Sequence, residues 1–372
     1  MNIFSSLRQK NSYYSINGKI ATVLWITLVW TLIALFRFFE GYFSVISNKS
    51  QEHTINLTQS IIGTLSSIIP AGLIIGISLV FLWEKWLRKM AYFKAMFFIS
   101  LFYSLVFLIF YPLDLLMKIL NNPDLLIDNN LFKTLYVVLF NYIMLTNYFF
   151  WLIITFLTIL FFSIRDKFGP NMFINFLKGK YLRPKREERI FMFVDLKSST
   201  TIAEKLREER YFNFLNDTFS TVTPAIMMTK GEIYQYIGDE IVISWITKNG
   251  LYRANCVSCF YKMVSLLNDK SDYFLKKYGF QPVFKAGLHF GYVTIGEMGI
   301  IKREIVYSGD VLNTASRIQS LCNEMNTDIL ISNHLMTQID QKFLEKEFKS
   351  VGNITLKGKQ QEIELVTPLN ND

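Results

Sequence analysis

The sequence predicts a chain of two parts, an α-helical transmembrane domain of four helices followed by an α+β domain with a ferredoxin-like core. Long apolar runs are confined to the first half of the 372 residues, and 51% of the whole chain is hydrophobic. From Arg189 onward the composition becomes that of a soluble domain. The elements predicted there follow the order strand, helix, two strands, helix, strand, which is the order of a ferredoxin-like core.

Apolar runs make up the predicted membrane domain. They cover Ile20–Phe39, Ile61–Trp83, Ala95–Leu113 and Leu135–Ile164, and their centres contain no Lys, Asp or Glu. Each is about as long as the ~20 residues that a helix needs to cross a bilayer. The last run, at ~1.5 Å per residue, would reach ~45 Å against ~30 Å of hydrocarbon, so we expect it to tilt or to project into the cytoplasm. The alternative, a soluble helical core, leaves such helices no polar face for solvent.

Charged residues in the connections predict the orientation. The second connection holds Lys85, Arg88, Lys89 and Lys94, whereas the first has Lys49. Basic connections stay in the cytoplasm, so we expect a multi-pass protein of the inner (plasma) membrane with a cytoplasmic N-terminus and a cytoplasmic C-terminal domain. The net charge of +9 is then explained by residues beside lipid headgroups, and we expect membrane lipid but no nucleic acid as a partner.

Composition and helix-breaking residues predict the domain boundaries. Residues 1–162 form the membrane domain and residues 189–372 the α+β domain. Residues 163–188 form a helical junction between them, interrupted by Gly169, Pro170 and Pro184.

The elements of the second half follow from periodicity. The sequence "RIFMFVDL" predicts a buried strand ending at Leu196, and one long amphipathic helix follows it as far as Gly231. A hairpin turns at Gly238 and Asp239, and a helix covers roughly Leu251–Tyr278. A strand pair is predicted at "VFKAGLHFGYVTIGEMG". A helix of about residues 311–322, a strand at "DILIS" and a closing strand pair complete the domain.

Two aspartates are the first candidate site residues. Asp195 stands at the end of the first strand and Asp239 at the tip of the hairpin, and the predicted strand order puts both at one edge of the sheet. With the backbone carbonyl of Leu196 they offer hard oxygen ligands suited to Mg²⁺ or Mn²⁺. Two such ions ~4 Å apart clamp the attacking and leaving oxygens of a phosphoryl displacement. Taken alone, an aspartate at the end of a strand is more often a helix cap or a turn residue than a metal ligand.

Five motifs between Arg189 and Pro368 resemble the catalytic domain of the class III adenylate and guanylate cyclases. They are "FVDLKSST", "YIGDEIVISW", "GLHFGYVTIGEMG", "YSGDVLNTASRIQS" and "LKGK". The resemblance implies conversion of a nucleoside triphosphate into a 3′,5′-cyclic monophosphate and pyrophosphate in intracellular signalling. It also implies two Mg²⁺ or Mn²⁺ ions per active site, and sites shared between the subunits of a head-to-tail homodimer.

The resemblance also implies residue roles. The family's metal ligands correspond to the two aspartates and the Leu196 carbonyl. Asn313 corresponds to the asparagine that orients the ribose, Arg317 to the arginine at the α-phosphate, and Lys357 to the lysine that holds the terminal phosphates. Four residues separate Asn313 from Arg317 on one helix, so they share a face. A planar guanidinium and an ammonium suit these two phosphate tasks.

Two positions depart from the family pattern for base recognition. Adenylate cyclases usually have Lys where this chain has Gln235, and Asp or Thr where it has Val306; guanylate cyclases usually have Glu and Cys. Gln235 can donate and accept hydrogen bonds, so it can read either base, whereas the Val306 side chain can only shape the pocket. We expect ATP to be favoured over GTP, as in the adenylate cyclases common among simple membrane-anchored chains.

Other functions compete with an active cyclase. A membrane signalling receptor with an inactive cyclase-like nucleotide-binding domain is the main alternative, and the complete set of metal, ribose and phosphate residues argues against it. A diguanylate cyclase is suggested by "IGDEI", but "NTASR" and "LKGK" have no place in that family. Cys256, Cys259 and Cys322 are predicted to be core residues, and His289 a packed one.

Overall fold

The structure, a computed structural model, describes residues 16–47, 57–85, 90–121, 130–139, 141–358 and 361–369. The chain divides into two compact units, Met1–Asp166 and Lys167–Asp372. Several residues behind the predicted orientation, Lys49, Arg88 and Lys89, lie outside the described residues.

The first unit is helical. Its helices are α1 (Ile16–Ser47), α2 (Leu57–Lys85), α3 (Tyr92–Asn121), α4 (Leu131–Leu139) and α5 (Tyr142–Phe168). Within the described residues, four helices are long and apolar enough to cross a membrane, at Gly18–Phe43, Ile61–Phe81, Phe93–Leu113 and Met144–Phe168. Between 11% and 28% of each span is buried inside the protein, so most of its apolar surface faces outward. A helix that is apolar on every side suits a lipid environment.

The prediction of one helix over Leu135–Ile164 is wrong. The run is divided between α4, which ends at Leu139, and α5, which begins at Tyr142. Asn141 lies in a bend between them, and its carbonyl accepts a hydrogen bond from the backbone N–H of Met144 at the start of α5. Asparagine is a weak helix former that favours turns, which explains the interruption.

Small and polar residues hold the helices of the first unit together. A Cβ atom added at Gly76 of α2 would lie 3.3 Å from Val23 Cγ1 of α1, so the two backbones run close together. Trp30 Nε1 donates to Thr158 Oγ1 over 3.3 Å, which links α1 to α5. Such buried polar contacts fix which helix faces meet.

The second unit is a mixed sheet with helices on both faces. Its strands are β1 (Lys185–Leu196), β2 (Glu232–Ile237), β3 (Glu240–Ile246), β4 (Phe284–Met298), β5 (Glu304–Ser308), β6 (Ile329–Ser332), β7 (Phe348–Thr355) and β8 (Glu362–Pro368). Its helices are α6 (Pro170–Leu177), α7 (Ser199–Leu206), α8 (Glu208–Met228), α9 (Thr247–Leu251), α10 (Asn255–Asp269), α11 (Ser271–Tyr278), α12 (Asp310–Ser320) and α13 (Asn333–Met336).

The strand order confirms the predicted fold class. The sheet runs β2-β3-β1-β4-β6-β8-β7, and β5 pairs with β4. The first four of these strands have the order of a ferredoxin-like core, and β1 is antiparallel to both of its neighbours. Helix α12 covers one face of β4 and β1, and α8 and α10 cover the other through a large apolar core.

Three predicted elements differ from the structure. The helix predicted over roughly Leu251–Tyr278 is a 3₁₀ turn at Tyr252–Ala254 followed by two helices, α10 and α11. The long helix up to Gly231 is two helices, α7 and α8, because Arg207 between them has a φ of 61° and a ψ of 170°. The predicted strand pair around Gly291 is one continuous strand of 15 residues, β4. Its glycines serve close packing instead of a turn: a Cβ atom at Gly291 would lie 2.8 Å from Val311 Cγ2.

Candidate active site

The alternation of β1 places Asp195 on the face of the sheet that α12 covers. Ile190, Met192 and Val194 point into the large core on the opposite face. Phe193 points the other way, and Asp195, two residues further along, shares its face. Asp195 is the second-last residue of this buried strand, so its carboxylate lies at the edge of the sheet, and 23% of its side chain is exposed.

Asp239 reaches the same edge through the hairpin. Gly238 and Asp239 form the turn between β2 and β3, and Gly238 has a φ of 61°, which glycine adopts readily. Val194 pairs with Ile241, so Asp195 lies one position closer to the turn. The Asp239 carboxyl lies close enough to that of Asp195 to raise its pKa. The structure therefore brings Asp195, Asp239 and the buried terminal residue Leu196 together.

Negative charge is concentrated at this edge. Burial raises the pKa of the Asp195 carboxyl, Asp239 raises it further, and Lys285 opposes both effects. Burial also raises the pKa of Glu240 to about 7, with additional repulsion from Asp195 and Asp239. Burial and Asp239 likewise raise the pKa of the Tyr211 phenol. Carboxylates that repel one another in this way form a site that favours a bound cation.

The donor set fits a hard divalent cation. Within the part of the chain that the structure describes, no three His, Cys, Asp or Glu residues are grouped to hold a metal ion. Asp195 and Asp239 would therefore supply only part of a coordination shell. Mg²⁺ is commonly bound by one or two carboxylates with water and substrate phosphate oxygens as its other ligands, so an all-oxygen pair of this kind suits it.

Two residues that were not predicted from the sequence, Lys285 and Gln319, contact the carboxylate of Asp195. Lys285 lies opposite it on β4, and its Nζ is 3.1 Å from Asp195 Oδ2. Gln319 Nε2 of α12 donates to the same oxygen over 3.2 Å. The signal for Lys285 was present, since it is the charged residue in the apolar strand segment "FKAGLHF". No pattern pointed to Gln319, whose position depends on how the helix packs.

Helix α12 presents the predicted ribose and phosphate residues. Asn313 is exposed and Arg317 is half-buried one turn later. A Cβ atom at Gly358 would lie 3.5 Å from Arg317 Nη2, so the turn that contains the exposed Lys357 lies beside this guanidinium. The structure therefore groups Arg317 with the Lys357 turn.

Within one chain, Arg317 and Asp195 lie on different sides of α12. Gln319 contacts Asp195, whereas Arg317 lies beside Gly358. At ~100° per residue, Arg317 and Gln319 are about 200° apart around the helix. One chain therefore does not bring the arginine to its own carboxylate pair.

The two predicted base-recognition residues lie on different strands. Gln235 is exposed on β2 and Val306 is half-buried on β5, paired with Gly296 of β4. Their neighbours Tyr234 and Tyr307 pack edge to face with 4.6 Å between ring centroids, which holds the two strands together.

The remaining candidates are core residues, as predicted. The cysteines Cys256, Cys259 and Cys322 are free and buried, and burial raises the pKa of each thiol to about 12. His289 shares a hydrogen bond of 2.8 Å with Ser332 Oγ, which fits a packed histidine.

A family model described as the adenylate and guanylate cyclase catalytic domain matches residues 183–367. This part of the chain belongs to that family.

Individual relatives agree with this family. Adenylate cyclase 2 of Rhizobium meliloti (strain 1021) is 30% identical over 204 residues, which are 55% of this chain and 56% of that protein. A terminal-differentiation specific adenylate cyclase of Dictyostelium discoideum is 29% identical over 176 residues, or 46% of this chain and 8% of its own length. The chain therefore spans little more than half of one of these relatives and a small part of the other.

A solved structure supports the fold. The structure of a bacterial light-regulated adenylyl cyclase superposes with a TM-score of 0.51 at 20% identity, covering 58% of this chain and 62% of that chain.

Proposed function

We propose that this protein is a membrane-anchored adenylate cyclase that converts ATP into 3′,5′-cyclic AMP and pyrophosphate at the interface of a homodimer. The single observation that carries the proposal is the contact between the carboxyl groups of Asp195 and Asp239 at one edge of a cyclase-family sheet. The relatives named adenylate cyclase favour ATP over GTP as the substrate.

The reaction needs a nucleophile, a leaving group and charge stabilisation. The ribose 3′-oxygen loses its proton and bonds to the α-phosphorus, while the bond from that phosphorus to the bridging oxygen of pyrophosphate breaks. Two Mg²⁺ or Mn²⁺ ions held by Asp195, Asp239 and the Leu196 carbonyl would assist the deprotonation and neutralise phosphate charge. The carboxylates would hold the positive charge of the ions next to the phosphate on which negative charge develops.

The remaining residues act on the substrate directly. In the proposal Asn313 orients the ribose through its amide, and Arg317 donates hydrogen bonds to oxygens of the α-phosphate. Lys357 holds the terminal phosphates and so stabilises the leaving pyrophosphate. The proximity of Arg317 to the Lys357 turn supports a shared task, because both cations serve one triphosphate chain. Gln235 and Val306 contact the purine.

The placement of these residues supports a shared site. In one chain Arg317 lies on the side of α12 away from the contact with Asp195, so the two halves of the machinery do not meet. A second copy, arranged head to tail, would supply Asn313, Arg317 and Lys357 to the carboxylates of the first. Residues 1–162 anchor the chain in the membrane, the catalytic domain (residues 189–372) is cytoplasmic, and residues 163–188 join the two.

Product analysis tests the proposal. The full chain in lipid nanodiscs is incubated with ATP or GTP and with Mg²⁺ or Mn²⁺, and the products are identified by mass. We expect cyclic AMP and pyrophosphate from ATP, and no cyclic product from the Asp195→Ala or Arg317→Ala variants. Absence of any cyclic nucleotide from the unmodified chain would contradict the proposal.

Mixing the two inactive variants tests the shared site. One working site per heterodimer should form from Asp195 of one chain and Arg317 of the other, so activity should partly return. A mixture that stays inactive, although both variants dimerise, would contradict the shared site while leaving the reaction itself intact.

A further inference from the structure

We infer that Gln319 is a positioning residue for Asp195. Helix α12 would then link Asp195 of its own chain to Arg317, which lies on the same helix and contacts the substrate in the site of the partner. The inference rests on the proposed function, because that function assigns metal binding to Asp195 and substrate binding to Arg317. It assigns no chemical step to Gln319 itself.

The sheet register brings Asp195, Lys285 and Gly287 to one face. Asp195 of β1 pairs with Lys285 of β4, and two positions further along Phe193 pairs with Gly287. Paired residues of antiparallel strands project to the same side, and so do residues two apart on one strand. Asp195, Lys285 and the bare position at Gly287 therefore all face α12.

Gly287 allows the helix to lie directly on the strand. A Cβ atom at this position would be 2.2 Å from the backbone N of Gln319 and 2.5 Å from the carbonyl oxygen of Ala315. The start of the Gln319 side chain is thereby held against β4. From there its amide reaches across to β1 and donates to Asp195 Oδ2 over 3.2 Å.

Two buried donors fix one oxygen of the carboxylate. Gln319 is 5% exposed, and the Lys285 side chain is 12% exposed with its Nζ 3.1 Å from the same Oδ2 atom. Hydrogen bonds of this kind orient a metal-ligating group, and their loss typically weakens metal binding by ~10 to 100-fold. Because Gln319 is anchored through the helix backbone, the orientation of Asp195 depends on the position of α12.

The other side of the same helix faces the substrate of the partner. Arg317, about 200° from Gln319 around α12, would contact a triphosphate bound at the carboxylates of the second copy. A shift of α12 on phosphate binding at Arg317 would therefore be transmitted through Gln319 to Asp195 in the other site.

Mn²⁺ binding tests the positioning role without relying on turnover. The full chain in nanodiscs is titrated with Mn²⁺ alone, and the free ion is measured by electron paramagnetic resonance. Gln319→Met, which keeps the side-chain length but removes the donor, should raise the Mn²⁺ dissociation constant at least ~10-fold. Gln319→Asn, too short to reach Asp195, should do the same if the Met variant does not fold.

Controls separate this inference from the proposed function. Gln281→Met removes an amide that donates to Asn268 elsewhere in the domain, and it should leave the dissociation constant unchanged. If the wild-type protein does not bind Mn²⁺, or if its binding is unchanged in Asp195→Ala, both the metal site and the inference are overturned. Wild-type binding that persists undiminished in both folded Gln319 variants would overturn the inference alone.

A mixed dimer distinguishes positioning from general structural support. The working site formed by Asp195→Ala and Arg317→Ala chains takes Asp195 from the second chain only. Gln319→Met placed in that chain should lower activity at least ~10-fold, whereas the same change in the chain without Asp195 should have little effect. Equal losses in the two placements would overturn the positioning role.

Discussion

Gly287 is the residue on which the contact between α12 and the sheet depends. A Cβ atom there would meet the backbone of Gln319 at 2.2 Å, where no side chain can move aside. We therefore expect Gly287→Ala to lower the free energy of unfolding by ~1–3 kcal/mol and to reduce activity, since α12 must shift. Denaturant unfolding of the full chain measures this.

A neighbouring glycine provides the matched comparison. A Cβ atom at Gly291 meets only the Cγ2 methyl group of Val311, at 2.8 Å. Gly291→Ala should cost less because that side chain can adjust. A Gly287→Ala variant as stable and active as Gly291→Ala would contradict the proposed dependence.

In the proposed site, the preference for ATP or GTP depends on the side chains of Gln235 and Val306. Gln235→Glu combined with Val306→Cys introduces the pair usual in guanylate cyclases. We expect the ratio of kcat/KM for GTP to that for ATP to rise at least ~10-fold, because one additional well-placed hydrogen bond is worth about 1.4 kcal/mol. Steady-state rates with each nucleotide measure the ratio. The double variant Gln235→Ala and Val306→Ala, which adds no base-reading group, should not favour GTP.

The sequence indicated the position of some site residues but not others. Asp195 and Asp239 share an edge because strand order alone places the hairpin beside β1. The contact from Gln319 depends on helix packing over a glycine, which leaves no periodic pattern. The catalytic roles of Asn313, Arg317 and Lys357 stay predictions that rest on the family.

At the scale of elements, a buried arginine joins the start of β1 to two other strands. Arg189 is fully buried; its Nε is 3.1 Å from Glu187 Oε2, and its Nη1 is 2.7 Å from Glu232 Oε2 of β2. It also donates to Tyr181 Oη, just before β1, over 3.4 Å. Its guanidinium lies 5.0 Å from the ring centroid of Tyr307 on β5.

Loss of this arginine should be costly. Arg189→Met removes the buried guanidinium that pairs with Glu232 and Glu187, and Glu187 keeps Lys180 Nζ at 2.7 Å. We expect a loss of ~3–5 kcal/mol in the free energy of unfolding, mainly from Glu232. Chemical denaturation checks the value. Adding Glu232→Gln to that variant should recover part of the loss, and a double variant no more stable than the single one would contradict this explanation.

An acidic residue clamps α8 to α11 in a pH-dependent manner. Burial would raise the pKa of Asp217, but hydrogen bonds from Lys277, Tyr273 and Tyr278 outweigh it and lower the pKa. A lowered folded-state pKa stabilises the protein above the unfolded value of ~3.9 and ceases to do so as the pH falls through the folded value. Asp217→Asn should therefore lower Tm by about 2–4 °C at pH 7.

The sign of the effect gives the test. Thermal unfolding of Asp217→Asn and wild type between pH 7 and pH 3 should show a difference in Tm that shrinks as the pH falls. A difference that stays constant over this range would show that the carboxylate charge is not responsible.

Element types were easier to predict than element ends. Strand order and the hairpin followed from hydrophobic alternation, which depends on burial. The break at Arg207 depends on a single positive φ in a residue type that carries no turn signal. The continuous β4 was predicted as a strand pair, whereas it is one strand of 15 residues in which Gly287 and Gly291 make room for α12.

At the scale of the whole molecule, the apolar helices should affect assembly. We expect residues 167–372, the second compact unit, to be soluble and to form cyclic nucleotide with a specific activity that rises with protein concentration. Without membrane helices, formation of the shared site depends on mass action. The full chain in nanodiscs should show a specific activity independent of its concentration. A fragment equally active at every dilution would contradict a dimerising role for the helices.

The hydrogen bond between Tyr181 and Arg189 limits where the second unit can be joined to a different N-terminal domain. A chimera joined after Tyr181 would lose a phenol that a buried guanidinium needs. One joined at Gly169, where φ is 77° and Pro170 begins a new helix, would keep the whole buried network. A replacement N-terminal domain should therefore be joined upstream of α6, so that α6 and the segment through Tyr181 stay with the second unit.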